Sequence, residues 1–110
     1  MGAQQLVLST MDPNMPPGSP ATCGDALLDP VEPRLRGTSL EFVSAANGAL
    51  VHVVWPRGFS ARLVNGVAEV VAPAGDVLAR EGEAITGLGG NGSDPFEVCT
   101  VGGRSYGPAP

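Results

Sequence analysis

Residues Val53 to Val71 read VVWPRGFSARLVNGVAEVV. Two valine-rich runs flank Asn65-Gly66, a dipeptide that suits the two-residue turn whose twist matches that of paired strands. Such a turn fixes the register. Val64 faces Val67 and Arg62 faces Glu69 on one side, while Leu63 faces Ala68 and Ala61 faces Val70 on the other. The charged pair marks the solvent side, so Ala61, Leu63 and Val70 point inward. Upstream, Trp55-Pro56-Arg57-Gly58-Phe59 makes a corner: Pro56 cannot donate to a ladder and Gly58 permits a tight reversal. The corner brings two large rings to one end of a small core. The alternative use of those rings is a ligand platform.

Working outward, Leu40–Ala46 and Ala49–Trp55 flank a second Asn-Gly pair, Asn47-Gly48. A two-residue turn there sets Ser44 opposite Val51, Phe42 opposite Val53 and Leu40 opposite Trp55, an apolar face. The other face carries Val43 with His52 and Glu41 with Val54. Downstream, Val77–Arg80 is a short strand, Glu81-Gly82-Glu83 turns, Ala84–Leu88 continues, Gly89–Pro95 is a glycine-rich loop, and Phe96–Val101 is the last strand. Six to seven short strands with no helix between them point to an all-β fold. The expected form is a small antiparallel β-barrel or sandwich of OB- or SH3-like size, with closure removing exposed edges and no room for parallel crossovers. Residues 1–33 are proline-rich and aperiodic. They read as an extended N-terminal arm, partly disordered before Cys23, with one helical turn available at Asp25–Leu28. The β-domain spans 34–106, and 107–110 form a flexible tail.

With 110 residues, 16 Gly and 11 Pro, the chain suits one domain that buries a modest share of its surface. All six cations are arginines (Arg34, Arg36, Arg57, Arg62, Arg80 and Arg104) against eleven acidic residues, for a net charge of −5. Nucleic acid is a poor partner, because its affinity rests on clustered cations. No window approaches a bilayer span. The opening residues MGAQQLVLST lack a signal peptide's basic and apolar regions, so the chain is either cytoplasmic or has its export signal elsewhere. Cys23 and Cys99 lie too far apart for a CxxC motif. A disulfide closing that loop stabilises by about 4 kcal/mol on the chain-entropy model, and is the favoured reading. Two buried thiols, as in a reducing cytosol, remain the other.

Candidate chemistry is sparse. Gly89–Glu97 (GGNGSDPFE) matches the calcium-binding nonapeptide of β-rolls, with Asn91 and Asp94 as the oxygen donors, but a single copy lacks the stacked neighbour that completes the shell. Asn91-Gly92-Ser93 also fits a glycosylation acceptor. His52, the sole histidine, has Glu41 diagonal to it in the expected register. A half-buried strand histidine is the plain reading, and a small hydrolase or metal site using the pair is the sharper one. No serine sits in a nucleophile elbow, and Glu81 with Glu83 read as solvated turn charges. No cofactor is expected, and the chain leans away from catalysis.

The corner Trp55–Phe59, the stretch GDVLAREGE at Gly75–Glu83, the pair Gly89-Gly90 and the late Cys99 resemble a small domain of secreted or lipid-anchored proteins of GC-rich actinobacteria, over Leu50–Tyr106. The resemblance implies an extracytoplasmic location and a Cys23–Cys99 bridge, and no activity. Cys23 lacks the apolar lead of a lipid-modified cysteine. The expectation is a non-enzymatic extracytoplasmic binding module, whose partner is a protein or cell-envelope component. Its contact surface comprises Val43, His52, Val54, Trp55, Arg57 and Phe59. Alternatives are calcium binding, the His52/Glu41 hydrolase, and a structural or phage-derived assembly module that dimerises through the Val77–Arg80 edge.

Overall fold

The computed structural model describes residues 4–10, 26–92 and 95–105. Among them the protein is all-β with no helix, and has twelve strands: β1 Gln4–Leu6, β2 Ala26–Leu28, β3 Val31–Arg36, β4 Ser39–Ser44, β5 Leu50–Val51, β6 Val53–Val54, β7 Ser60–Val64, β8 Val67–Val71, β9 Val77–Arg80, β10 Leu88–Asn91, β11 Phe96–Val101 and β12 Arg104–Ser105. They form three sheets, ordered β1-β7-β8-β9, β12-β11-β10-β2 with β6 also on β11, and β3-β4-β5. No sheet closes on itself, so the architecture is sandwich-like and the barrel is corrected. Six to seven strands was too few, because several paired segments are only two or three residues long.

The hairpin of β7 and β8 has the register read from its turn: Arg62 pairs with Glu69, Leu63 with Ala68 and Ala61 with Val70. Asn65 and Gly66 take φ of 52° and 80°, the left-handed pair that this turn requires. The first hairpin differs. Phe42 pairs with Val51 and Val43 with Leu50, two residues from the expected register. Its connection is longer because two side chains hold it: Ser44 Oγ accepts from Ala46 N at 3.2 Å and Asn47 Oδ1 from Ala49 N at 2.9 Å. A slip of two preserves which face each residue takes, so Leu40, Phe42, Val53 and Trp55 remain in the core.

Several segments expected to be irregular are paired. The stretch assigned to an extended arm supplies β1, β2 and the start of β3; within it Ala26–Leu28 is a strand, not a helical turn. Cys23 and residues 11–22 before it lie outside the described residues, whereas Gln4–Leu6, in the stretch expected to be partly disordered, pairs with β7. Pro33 sits mid-strand in β3, an edge strand, where its missing N–H costs no ladder bond. The glycine-rich loop begins later than expected, because Gly89, Gly90 and Asn91 belong to β10. At Gly90, beside a register shift, a Cβ would overlap the Glu97 carbonyl oxygen, so the approach of β10 to β11 requires glycine. The expected strand Ala84–Leu88 reduces to an Ile85–Val31 bridge and the first residue of β10.

One pair is parallel: Val53 and Val54 of β6 lie beside Phe96 and Glu97 of β11. The expectation that parallel crossovers have no room is corrected: β7, β8 and β9 of a second sheet, with β10, fill the crossover between β6 and β11. Isolated bridges stitch the sheets together at Val7–Ser39, Thr10–Trp55 and Val31–Ile85. The core between them contains Leu6, Val31, Phe42, Val53, Trp55, Phe59, Val70, Leu88, Phe96 and Val98. No helix among the described residues is long and apolar enough to cross a membrane.

Candidate contact surface

Leu50–Trp55 forms a ribbon shared between sheets, since β5 pairs with β4 and β6 with β11. Alternation along it sends Val53 and Trp55 into the core and turns Leu50 and His52 outward, with Val54 half-buried. The outward side lines a depression of about 380 Å³ that includes Ser9, Glu41, His52, Val54 and Pro95. Glu41 and His52 therefore both line this depression. Glu41, however, is engaged by cations: Arg34 Nε and Nη2 donate to Oε1 at 3.2 and 2.9 Å, and Arg36 Nη1 lies 3.9 Å from Oε2.

Across the ribbon a second depression, about 310 Å³, is lined by Ala26, Leu27, Leu28, Val31, Val51 and Phe96 among others. Strand β2 borders it. Among the described residues β2 pairs only with β10, so it is the edge of its sheet, and Leu27 stands 81% exposed on it. Leu50, 51% exposed, stands on the ribbon itself and lines the first depression. This apolar edge was absent from the sequence reading, because Ala26–Leu28 was taken as part of a proline-rich arm.

The expected six-residue surface is corrected. Trp55 is fully buried, Val43 and Phe59 are buried, and only His52 and Arg57 are exposed, with Val54 between. The corner is a core plug. Trp55 stacks at a tilt between Phe42 and Phe59, with ring centroids 5.3 and 5.4 Å away, a geometry that adds to plain area burial. Its indole Nε1 is buried without a hydrogen-bond partner among the described residues.

A second correction concerns Glu69, expected on the solvent side and found 4% exposed. Arg62 Nε donates to Oε1 at 2.6 Å and Arg80 Nε to Oε2 at 3.0 Å, from the strands on either side. The Arg62 hydrogen bond is the largest influence on the carboxyl. With the charges of Arg62 and Arg80 and the Arg80 hydrogen bond, it holds the pKa below the ordinary value against the opposing pull of burial. The β8–β9 register, which sets Glu69 opposite Arg80, was the signal that would have found it.

The turn carboxylates are structural: Glu81 Oε2 accepts from Leu35 N at 3.0 Å and Glu83 Oε1 from Arg80 N at 2.7 Å. Asn91 sits on β10 and donates from Nδ2 to Glu97 Oε1 at 3.1 Å, while Asp94 lies outside the described residues. Among the described residues no three of His, Cys, Asp and Glu gather as a metal would require. Cys99 is buried on β11; its expected partner Cys23 is outside the described residues. No family model, curated protein or solved structure matches the chain.

Proposed function

We propose that the chain is a non-catalytic binding module that works outside the cytoplasm and takes an extended segment of a partner protein against the edge of β2. The observation that carries this reading is Leu27, four-fifths exposed on an edge strand beside an apolar depression. An edge strand offers backbone hydrogen bonds in register, and a neighbouring apolar recess accepts alternate side chains of the added strand. An exposed apolar patch on a small domain is a further mark of an interface.

Peptides selected from a displayed library on the intact chain supply the probe. They should share an alternating apolar pattern and lose at least tenfold in affinity for the Leu27→Asp variant, whose outward side chain leaves the core intact. Equal binding to both proteins overturns the reading. The extracytoplasmic part rests on a Cys23–Cys99 bridge, for which the support is the resemblance and the stabilisation that so long a loop closure brings. Denaturing, non-reducing thiol titration should find no free thiol; two would remove the argument for export.

A further inference from the structure

We propose that the recess beside β2 takes a basic side chain, lysine or arginine, from the extended segment that pairs with the strand. The inference rests on the edge reading above and names the chemistry of the segment. Val31 and Phe96, both buried, form the apolar floor of the recess, and Leu28 and Val51, half-buried, stand in its walls. Asp29, the residue that follows β2, is exposed, and it is the one charged side chain among the described residues that line the recess.

The other carboxylates that meet arginines are already matched. Glu41, in the first depression, is held by Arg34 at 2.9 Å, and Glu69 is held by Arg62 and Arg80 at 2.6 and 3.0 Å. Among the described residues no such ion pair takes up Asp29, whose charge therefore stands beside apolar surface with no cation lining the recess. That combination suits lysine or arginine, because the methylene stem of either lies along apolar surface while its cation stays at the wet rim. The net charge of −5 favours the approach of a basic segment and disfavours an acidic one.

The shortness of the edge makes this side chain matter. Strand β2 is only three residues long, and the chain turns away just beyond it, where Pro30 O accepts from Ala45 N at 2.9 Å. In strand addition the main chain supplies affinity and the flanking pockets supply selectivity. With so few ladder bonds on offer, the occupant of the recess decides which segments bind.

The test uses the intact chain and peptides selected on it from a displayed library, with affinities read by calorimetry. Selected peptides should carry a lysine or arginine among alternating apolar residues, and replacing it by norleucine should weaken binding about fivefold. Asp29→Asn should make the two peptides bind equally. Asp76→Asn, which removes the same charge from the exposed connection between β8 and β9, should leave their difference intact. Both aspartates are exposed, so neither change disturbs the core. A norleucine copy that binds as well as its parent overturns the inference, as do selected peptides without a basic residue. An equal loss in both aspartate variants also overturns it, since net charge alone would then explain the effect. N-methylation of alternate peptide nitrogens separates this outcome from the edge reading. Binding that methylation abolishes but Asp29→Asn leaves unchanged keeps the edge and removes the basic side chain; binding indifferent to methylation, or a library that yields no binder, removes both.

Discussion

Glu69 shows how one side chain can combine opposing effects. Burial alone would favour its neutral form, yet two guanidiniums bond its oxygens and the charged form prevails. A carboxyl whose pKa is depressed in the folded state stabilises fully above its unfolded value, near 4.5, and loses that contribution as pH falls through the folded value. Chemical denaturation between pH 7 and 2 should show stability falling on the acid side. Glu69→Gln should flatten that fall and lower stability at pH 7 by about 2 kcal/mol, the loss of charge-assisted hydrogen bonds. A second prediction concerns Trp55. Its emission should be blue-shifted and resist acrylamide quenching. Trp55→Ala should cost about 3–5 kcal/mol in denaturant titration. Trp55→Phe should cost less, because the buried indole N–H gives up no hydrogen bond to any described residue.

At the scale of elements, legibility followed the turn chemistry. Asn65-Gly66 has no competing side chain, and the β7–β8 pairing was readable residue by residue. Asn47-Gly48 is flanked by Ser44, whose hydroxyl and whose carbonyl, accepting from Gly48 N at 2.8 Å, widen the connection and shift the register. Both hairpins kept their inward faces, since a shift of two conserves the pleat. Strands β9 and β11 had the bounds expected of them; β1 and β2 were illegible, because three-residue strands carry no period and owe their form to distant partners. The outward set at the corner failed for the same reason. Phe59 lies against Trp55, as the core reading of the corner has it, and Val43 is buried on β4 although the local pattern turned it outward. Gly90 yields a prediction here. Gly90→Ala drives a methyl into the Glu97 carbonyl and should cost more than about 3 kcal/mol, at the severe end for a single substitution. Gly37→Ala, with open space around its Cβ and φ of 62°, should cost only about 1–2 kcal/mol by thermal melting.

The whole molecule is assembled from distant pairings: β1 with β7, β2 with β10 and β6 with β11. Chain entropy must be spent before such contacts form, so refolding should take milliseconds to seconds by stopped-flow fluorescence of Trp55, slower than a helical bundle of this size. An open set of three sheets also leaves real edges, and β2 and β9 are two of them. Closure was expected because it removes edges; instead the bridges at Val7, Thr10 and Val31 tie the sheets at single points.

The ribbon Leu50–Trp55 has a mechanical corollary. Because one continuous strip of main chain is sewn into β4 at one end and β11 at the other, neither of those layers can loosen without tugging on its neighbour. Amide protons of β4 and β11 should then exchange with deuterium through a single shared opening, giving matched protection where independent layers would give two.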